Sequence, residues 1–429
     1  MSVTRRRGAA ALAGALLAAS ALFAACAAAP GARPPFPPLA PDDAHPYVIL
    51  VSFDAFRHDY IDRLHPPAIE ALAARGVRAE ALIPAFPSKT FPNHYTIATG
   101  LYPGHHGIVG NAFHDPDRKA SYRIGDTLAA RDGSWYGGEP IWVTAERNGV
   151  RSASYFWPGS EAEIRGVRPS IAMRYDERVP NARRVDGSIA WLRRAPAVRP
   201  HLVLLYMSDV DDTTHQYGPD APNTAAAVSS VDRALRRLMD SVAVLPIRDS
   251  VNVVLVSDHG MTAVNGERVM PVFDALQRAG MDTTGIVASD NGPTMSLWFG
   301  GDTARRRHAH AVLDTALGHA DVYRRESIPA RLHFGDTPRA GDLLLVAWPG
   351  HILLRHVTDS APSGGAHGYD PAWEDMQGIF VAAGPNVRAA GTIPAFENVH
   401  VYPFLAALLR LRQVPVVDGD PRVLGSLVR

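Results

Sequence analysis

Three apolar segments of the chain each lead into side chains that can bind a divalent metal ion. The segments and these side chains are residues 47–53 before Asp54, residues 202–206 before Asp211 and His215, and residues 251–256 before Asp258 and His259. Continuous apolar runs of this length are typical of strands buried on both faces of a parallel sheet. Ligands of such sheets bind outside the carboxyl ends of the strands. Because imidazole nitrogens and carboxylate oxygens are zinc ligands, the pattern predicts a metal site at that edge of the sheet.

A further imidazole, His367, lies in the glycine-rich segment Gly364-Gly-Ala-His-Gly368. Asp211 and His215 stand at positions i and i+4, so on a helix they face the same side and can reach one metal. An isolated Asp–His pair with this spacing is common and usually inert. The metal-binding side chains that follow the other two strands support a metal-binding role for this pair. Two metals about 4 Å apart hold the attacking and leaving oxygens of a displacement at phosphorus. A ligand set large enough for two metals could therefore support phosphoryl transfer.

Thr90 is the candidate nucleophile of such a reaction. It lies just before a predicted helix that runs to Gly100, with Pro92 near the first turn. The positive end of a helix and its free N–H groups attract an anion such as a phosphoryl group. A bound metal also lowers the pKa of a hydroxyl that is otherwise a weak nucleophile. On this segment alone Thr90 equally fits a plain N-cap, which is the commoner role of threonine at a helix start.

Five motifs in this chain resemble, in the same order, those of the nucleotide pyrophosphatase/phosphodiesterase family of the alkaline phosphatase superfamily. The motifs are Val51-Ser-Phe-Asp54, Ser88-Lys-Thr-Phe-Pro-Asn-His94, Asp211-Asp-Thr-Thr-His215, Ser257-Asp-His-Gly260 and Gly365-Ala-His-Gly-Tyr369. Each motif is a weak signal alone, and their common order carries the resemblance. It implies an α/β fold with an alkaline-phosphatase-like core, a mostly parallel sheet flanked by helices. We predict a catalytic domain over residues 47–429, with residues 262–345 as a smaller inserted cap.

The resemblance also implies two zinc ions per chain and a covalent mechanism. The ligands that it implies are Asp211, His215 and His367 for one zinc, and Asp54, Asp258 and His259, together with Thr90, for the other. Attack by Thr90 would give a phospho-threonine intermediate that water then hydrolyses, releasing a nucleoside monophosphate. The third motif reads Asp-Asp-Thr-Thr-His where many relatives have Asp-Ser-Ser-Gly-His, but the ligand spacing is kept.

Three more residues receive substrate-binding roles from the resemblance. Asn111 would donate to a phosphate oxygen, and a neutral amide suits a diester, which carries one charge fewer than a monoester. Phe91 and Tyr175 would stack on the two faces of a nucleobase, an interaction that contributes about 1–3 kcal/mol and tolerates different bases. From the residues alone, Asn111 also fits a turn, and Phe91 fits core packing beside its helix.

Charge balance bears on the partners of the chain. Lys+Arg and Asp+Glu both number 43, and no basic run follows the N-terminal segment. This pattern predicts no stable binding of nucleic acids. We expect a nucleotide or another phosphodiester as substrate, and the sequence predicts no particular oligomeric state.

The N-terminal segment has the features of an export signal. Arg5-Arg-Arg7 precede an apolar stretch to Ala25, which is too short for a confident membrane span, and the single cysteine, Cys26, follows it. Residues 1–26 are therefore predicted as a leader, with the protein either periplasmic or anchored to the membrane as a lipoprotein through Cys26. Ordinary cleavage near residues 27–29 fits equally well. Residues 27–46 are rich in proline and read as an extended tether.

Other functions remain open at this point. A relative in the same superfamily could act on a phosphomonoester, a phosphocholine ester or a phosphonate. A zinc-binding lipoprotein without turnover is an alternative of another class, although Thr90 and the full ligand set argue against it. The chain has none of the cysteine-rich or nuclease-like regions of some animal members, so it resembles a minimal bacterial catalytic form.

Overall fold

The computed structural model describes residues 45–360 and 362–429. The predicted leader, the proposed anchor at Cys26 and the proline-rich segment up to residue 44 lie outside the described residues. None of the described helices combines the length and the apolar character needed to cross a bilayer.

Twenty strands are present within the described residues. They are β1 (Tyr47–Phe53), β2 (Val77–Ala79), β3 (Leu82–Ile83), β4 (Ala112–Asp115), β5 (Ala120–Arg123), β6 (Ser152–Tyr155), β7 (Ile171–Met173), β8 (Leu202–Met207), β9 (Val251–Val256), β10 (Thr262–Asn265), β11 (Val269–Pro271), β12 (Val287–Asp290), β13 (Thr294–Trp298), β14 (Ala320–Arg324), β15 (Leu343–Ala347), β16 (Ile352–Leu354), β17 (Ser363–Ala366), β18 (Phe380–Ala383), β19 (Gly391–Ile393) and β20 (Phe396–Glu397).

Thirteen α-helices accompany the strands in the same part of the chain. They are α1 (Tyr60–Leu64), α2 (Pro67–Ala74), α3 (Thr90–Thr99), α4 (Pro103–His106), α5 (Thr127–Arg131), α6 (Ile141–Arg147), α7 (Asn181–Leu192), α8 (Asp209–Tyr217), α9 (Pro222–Ala243), α10 (Val272–Arg278), α11 (Thr303–Ala316), α12 (Val401–Leu408) and α13 (Pro421–Gly425).

The centre of the fold is an eight-stranded sheet with the order β19-β2-β18-β9-β1-β8-β6-β7. Strands β9, β1, β8, β6 and β7 are parallel to one another, while β18 runs antiparallel to β9 and β2. Every residue of β1, β8 and β9 is buried. The predicted α/β class with a mostly parallel sheet flanked by helices is thus confirmed.

The two faces of this sheet bury alternate side chains of β1. Ile49, Val51 and Phe53 pack in one apolar cluster with residues of α2, α7 and α9. Ser52 points to the opposite face, because successive side chains of a strand alternate. Its hydroxyl lies 2.8 Å from Nε2 of His94 in α3. Helix α3 is therefore held against the sheet face opposite α2, α7 and α9.

A second, four-stranded sheet with the order β12-β13-β15-β14 lies within the predicted cap region. Its pairs are antiparallel, and it buries a separate apolar cluster with α10 and α11. This sheet extends to Ala347, two residues past the predicted end of the cap. The treatment of residues 262–345 as an insertion stays a prediction.

Candidate active site

Strands β9, β1 and β8 lie side by side, so the side chains that follow them meet at one edge of the sheet. Ser52 of β1 is in register with Tyr206 of β8 and Val256 of β9. Asp54 follows β1 directly, and Asp258 comes two residues after β9. Helix α8 begins two residues after β8 and carries the Asp211–His215 pair. The parallel register therefore brings chain segments about 150 and 50 residues apart to the same place.

Asp211, His215 and His367 form a group whose nitrogen and oxygen atoms could bind one metal ion. Nε2 of His215 lies 3.4 Å from Oδ1 of Asp211 and 3.1 Å from Nε2 of His367. Nε2 of His367 is 3.7 Å from the same Asp211 oxygen. The structure thus brings together the three residues predicted for one zinc.

Asp54, Asp258 and His259 meet directly beside this group. Nε2 of His259 is 3.0 Å from Oδ2 of Asp258 and 3.4 Å from Oδ1 of Asp54. The same neighbourhood permits other groupings, namely Asp54 with Asp211 and His259, and Asp54 with His94 and Asp258. How the six predicted ligands divide between two ions therefore stays a proposal.

The orientation of the three candidate histidines fits metal ligands. In each ring Nδ1 lies against a backbone carbonyl: Gly365 for His215 at 2.9 Å, Gly260 for His259 at 2.8 Å and Ser88 for His367 at 2.8 Å. A carbonyl can only accept, so each Nδ1 carries the proton and each Nε2 presents its lone pair to the cluster. Backbone or carboxylate partners of this kind commonly orient metal-binding histidines.

Each of the three candidate carboxylate ligands has one buried oxygen without a hydrogen-bond partner among the described residues. These oxygens are Oδ1 of Asp54, Oδ1 of Asp211 and Oδ2 of Asp258. Buried charged oxygens without partners are costly, as are two lone pairs 3.1 Å apart on His215 and His367. Cations between these atoms would relieve both costs. The donor set is suited to zinc, although such ligands also accept other divalent ions.

Electrostatics differ within the cluster. Burial opposes both shifts in the Asp258–His259 pair, but mutual attraction lowers the pKa of the Asp258 carboxyl and raises that of the His259 imidazole. Two other groups behave differently. Burial raises the pKa of the Asp54 carboxyl well above its ordinary value, and the charges of Asp258 and Asp211 raise it further. Burial lowers the pKa of the His367 imidazole, as do the neighbouring His259 and Lys89. Both shifts disfavour the charged forms of the protein groups. A bound cation lowers the pKa of a neighbouring carboxyl group, because it stabilises the ionised form.

Thr90 is the first residue of α3, and the N-cap position belongs to Lys89. The N-cap interpretation of Thr90 is therefore wrong for this helix, which has no side-chain cap hydrogen bond at its start. The Thr90 hydroxyl instead lies 3.3 Å from Nε2 of His259. Its oxygen is thus both at the positive end of a helix and at the edge of the cluster of candidate ligands.

His94, which has no role in the sequence-based assignment, fixes the position of Thr90. Its Nδ1–H donates to the Thr90 carbonyl at 2.9 Å, and its Nε2 accepts from the Ser52 hydroxyl. The ring is fully buried and Nδ1 also lies 3.3 Å from Oδ2 of Asp258. Because both nitrogens have protein partners, we assign His94 to positioning. Its position four residues after Thr90 was the available signal.

Asn111 lies beside the start of the same helix. Its Oδ1 accepts the Phe91 backbone N–H at 3.0 Å. This hydrogen bond sets the orientation of the amide and leaves its NH₂ group without a hydrogen-bond partner among the described residues. The side chain is part of a cavity wall that also includes Thr90, and the backbone at Asn111 forms a bend, so the contact between Asn111 and the phosphate stays a prediction.

That cavity has a volume of about 590 Å³ and is lined at one end by candidate metal ligands. Its remaining wall, called the aromatic chamber below, includes Phe91, Phe156 and Tyr175. Phe91 and Tyr175 both line it, together with residues of the loop after β6. Phe91 is partly buried, and its ring lies 6.5 Å from the buried ring of Tyr122 between centroids, so base stacking and core packing both stay predictions. Tyr175 is 46% exposed, and its ring packs edge-on against Phe156 with centroids 5.3 Å apart.

Comparisons with known proteins identify the family of the chain. The sequence profile of the family described as type I phosphodiesterase/nucleotide pyrophosphatase matches residues 48–370. The chain belongs to this family. All ten residues predicted for the site lie within the matched part.

Two curated relatives of this type I phosphodiesterase family illustrate the match. A venom phosphodiesterase of Crotalus durissus collilineatus is 32% identical over 388 residues, which cover 89% of this chain and 46% of the relative. A bis(5'-adenosyl)-triphosphatase of Xenopus laevis is 33% identical over 371 residues, covering 86% of this chain and 79% of the relative. The chain spans less than half the length of the venom relatives.

Among solved structures, murine ectonucleotide pyrophosphatase/phosphodiesterase 5 matches with a TM-score of 0.83 and 30% identity. The match covers 90% of this chain and 100% of that one, which is an inactive threonine-to-alanine variant in complex with AMP. The predicted alkaline-phosphatase-like core is confirmed by this likeness.

Two more residues lie beside the candidate site and were not singled out from the sequence. Tyr206 of β8 donates its hydroxyl proton to Oδ2 of Asp54, with 2.5 Å between the oxygens. Lys89 is buried beside Thr90, and burial lowers the pKa of its ammonium to about 8. Tyr206 belongs to an apolar run, where an aromatic residue signals only burial. Lys89 belongs to the motif Ser88-Lys-Thr-Phe-Pro-Asn-His94, but its burial depends on contacts with distant segments that the motif does not reveal.

Proposed function

We propose that the chain is a metal-dependent hydrolase of nucleotide phosphodiester and pyrophosphate bonds that releases nucleoside monophosphates. The observation that carries this proposal is the position of Thr90. Its hydroxyl lies beside six convergent candidate ligands and opens into a cavity that Phe91 and Tyr175 also line. The names of the relatives support the same substrate class, as does the AMP bound to the murine structure.

Two zinc ions fit the ligand set proposed above. When bound, they would supply positive charge that stabilises the attacking and leaving oxygens of the displacement. The side chains that would hold them are Asp54, Asp211, His215, Asp258, His259 and His367. His367 and His215 keep their Nε2 lone pairs available because their Nδ1 atoms donate to carbonyls.

The chain's own residues would carry the covalent steps. The Thr90 hydroxyl gives up its proton to solvent, and Oγ1 forms a bond to phosphorus as the bond to the leaving oxygen breaks, which leaves the nucleoside monophosphoryl group covalently bound to Thr90. Water then attacks the same phosphorus, Oγ1 departs and regains a proton, and the nucleoside monophosphate is released. His94 holds the backbone of Thr90 during both steps, while Asn111 Nδ2 donates to a phosphate oxygen.

A comparison of two nitrophenyl compounds tests the proposal. We expect the zinc-loaded protein to hydrolyse the p-nitrophenyl ester of thymidine 5′-monophosphate with a higher kcat/KM than p-nitrophenyl phosphate. Phosphonate and phosphocholine nitrophenyl esters complete the series. A preference for any of these over the nucleotide ester would favour the alternative hydrolases. A correctly metallated protein without turnover on all four would favour the non-catalytic zinc protein.

Replacing Asn111 tests the phosphate contact. Asn111→Asp keeps an oxygen that can accept from the Phe91 N–H, but it removes the NH₂ donor and adds a negative charge. We expect kcat on the nucleotide ester to fall by about 10²–10³-fold, the usual effect of losing a preorganised donor. Asn111→Gln serves as the control that retains the amide. Equal rates for wild type and Asn111→Asp would exclude contact between Asn111 and the phosphate.

Replacing Phe91 tests the nucleobase contact. Phe91→Ala should raise KM for the nucleotide ester about tenfold for each 1.4 kcal/mol of uniform binding lost. It should change little for p-nitrophenyl methyl phosphate, which has no base. Phe91→Trp preserves a stacking surface and should retain most of the affinity. Equal losses on both substrates with a lower melting temperature would indicate packing instead.

The location of the protein stays a proposal as well. Export to the periplasm, with or without a lipid anchor at Cys26, rests on the N-terminal sequence alone. Mass spectrometry of the mature N-terminus would distinguish a lipidated Cys26 from cleavage near residues 27–29.

A further inference from the structure

The side chain of Lys89 is buried beside the proposed nucleophile, with only 8% of the residue exposed. Its stem runs along Gly368, where an added Cβ would lie 2.7 Å from Cε of Lys89. Within residues 45–360 and 362–429, no hydrogen bond or ion pair reaches its ammonium group. Its Nζ atom retains contact with solvent, unlike the enclosed partnerless oxygens of Asp54, Asp211 and Asp258. The free ammonium is thus a candidate for binding an anion.

The surroundings of this ammonium locate it relative to the rest of the site. It interacts electrostatically with Asp211 and His367 of the first metal-ligand group, and with Asp290 at the end of β12. Neither Lys89 nor Asp290 lines the cavity that holds Phe91 and Tyr175. Lys89 therefore lies where the Asp211–His215–His367 group meets the second sheet, outside the chamber proposed for the nucleoside.

The in-line geometry of the displacement indicates that the leaving group departs toward Lys89. In an in-line displacement the leaving oxygen departs on the side of phosphorus opposite the attacking oxygen. Thr90 Oγ1 contacts His259, whereas Lys89 is beside the other ligand group. With the nucleoside in the aromatic chamber, the leaving group extends toward Asp211, His367 and Lys89. For a pyrophosphate bond that group is an anionic phosphate chain, and an ammonium binds phosphate oxygens by charge-assisted hydrogen bonds.

We infer that Lys89 binds the phosphate chain that leaves when a nucleoside polyphosphate is cleaved, and so favours pyrophosphate bonds over diesters with uncharged leaving groups. This inference rests on the proposed function and adds the recognition of the leaving group to it. Asp290, whose carboxylate lies near the same ammonium, opposes that recognition by repelling the phosphate chain.

Lys89→Met separates the two substrate classes, because methionine keeps an unbranched stem beside Gly368 and removes the charge. We expect kcat/KM for ATP to fall about ten- to a hundredfold, the effect of losing a hydrogen bond to a charged group. For the p-nitrophenyl ester of thymidine 5′-monophosphate, the loss of kcat/KM should be at least about tenfold smaller than the loss for ATP. Asp290→Asn is the matched variant, and its expected effect on kcat/KM for ATP is in the opposite direction because it removes a negative charge near the ammonium. It should raise kcat/KM for ATP severalfold and leave the rate on the ester unchanged.

A binding measurement gives a readout apart from turnover. In a Thr90→Ala background, calorimetry should show that Lys89→Met weakens ATP binding about tenfold or more and leaves AMP binding unchanged. Equal losses of kcat/KM on ATP and the nitrophenyl ester would overturn the inference, since Lys89 would then act by positioning Asp211. A wild-type protein that cleaves neither substrate would instead overturn the proposed function itself.

Discussion

Replacing Thr90 with alanine is expected to lower turnover of nucleotide esters at least about a thousandfold while the fold and the bound metal are retained. Removal of an attacking group leaves only the rate due to binding and electrostatic stabilisation. Thr90 is the first residue of α3, with Lys89 at the N-cap, so no capping hydrogen bond is lost. Turnover, metal content and melting temperature measured on the same sample would check this expectation.

Two further substitutions at the same position serve as controls. Thr90→Ser keeps a hydroxyl and should retain measurable hydrolysis, whereas Thr90→Val keeps the shape without the oxygen and should behave as alanine does. Mass spectrometry of acid-quenched wild type should detect a nucleoside monophosphoryl group on Thr90 during turnover. Ordinary rates for Thr90→Val would remove Thr90 from the chemistry and leave the family resemblance as the only support for a covalent mechanism.

Removing divalent metal is expected to abolish hydrolysis and to destabilise the fold. Chelation leaves the partnerless oxygens of Asp54, Asp211 and Asp258 without a compensating charge in a buried site. If free metal is present at about 1,000 times the dissociation constant, its removal costs about 4 kcal/mol of folding free energy per site. Melting temperature and activity should both recover when zinc is added back, and elemental analysis of the native protein should find about two ions per chain.

Single histidine variants sharpen this test. His367→Ala should reduce the metal content by about one ion and strongly lower turnover, because its Nε2 faces His215 and Asp211. His308→Ala, on the exposed surface of α11, should change neither quantity. Full activity in protein shown to contain no divalent metal would refute the assignment of the whole ligand set.

The sequence determined the elements that carry the site, because their signals are local. Apolar runs gave strands β1, β8 and β9, and the last of these matches residues 251–256 in full. The segment before Gly100 forms a helix that ends at Thr99, with Gly100 in the left-handed conformation that glycine adopts readily. Because parallel strands place their carboxyl ends at one edge, the convergence of Asp54, Asp211 and Asp258 follows from the pattern.

Only the tertiary structure decided how those side chains are oriented and which others join them. Thr90 is not a cap because the chain turns into the helix one residue earlier, at Lys89. Tyr206 reaches Asp54 across 152 positions of sequence, and the carbonyl that orients His367 lies 279 positions away. The burial of Lys89 depends in the same way on Gly368. Such contacts arise from the packing of distant segments, and no spacing or composition within one segment encodes them.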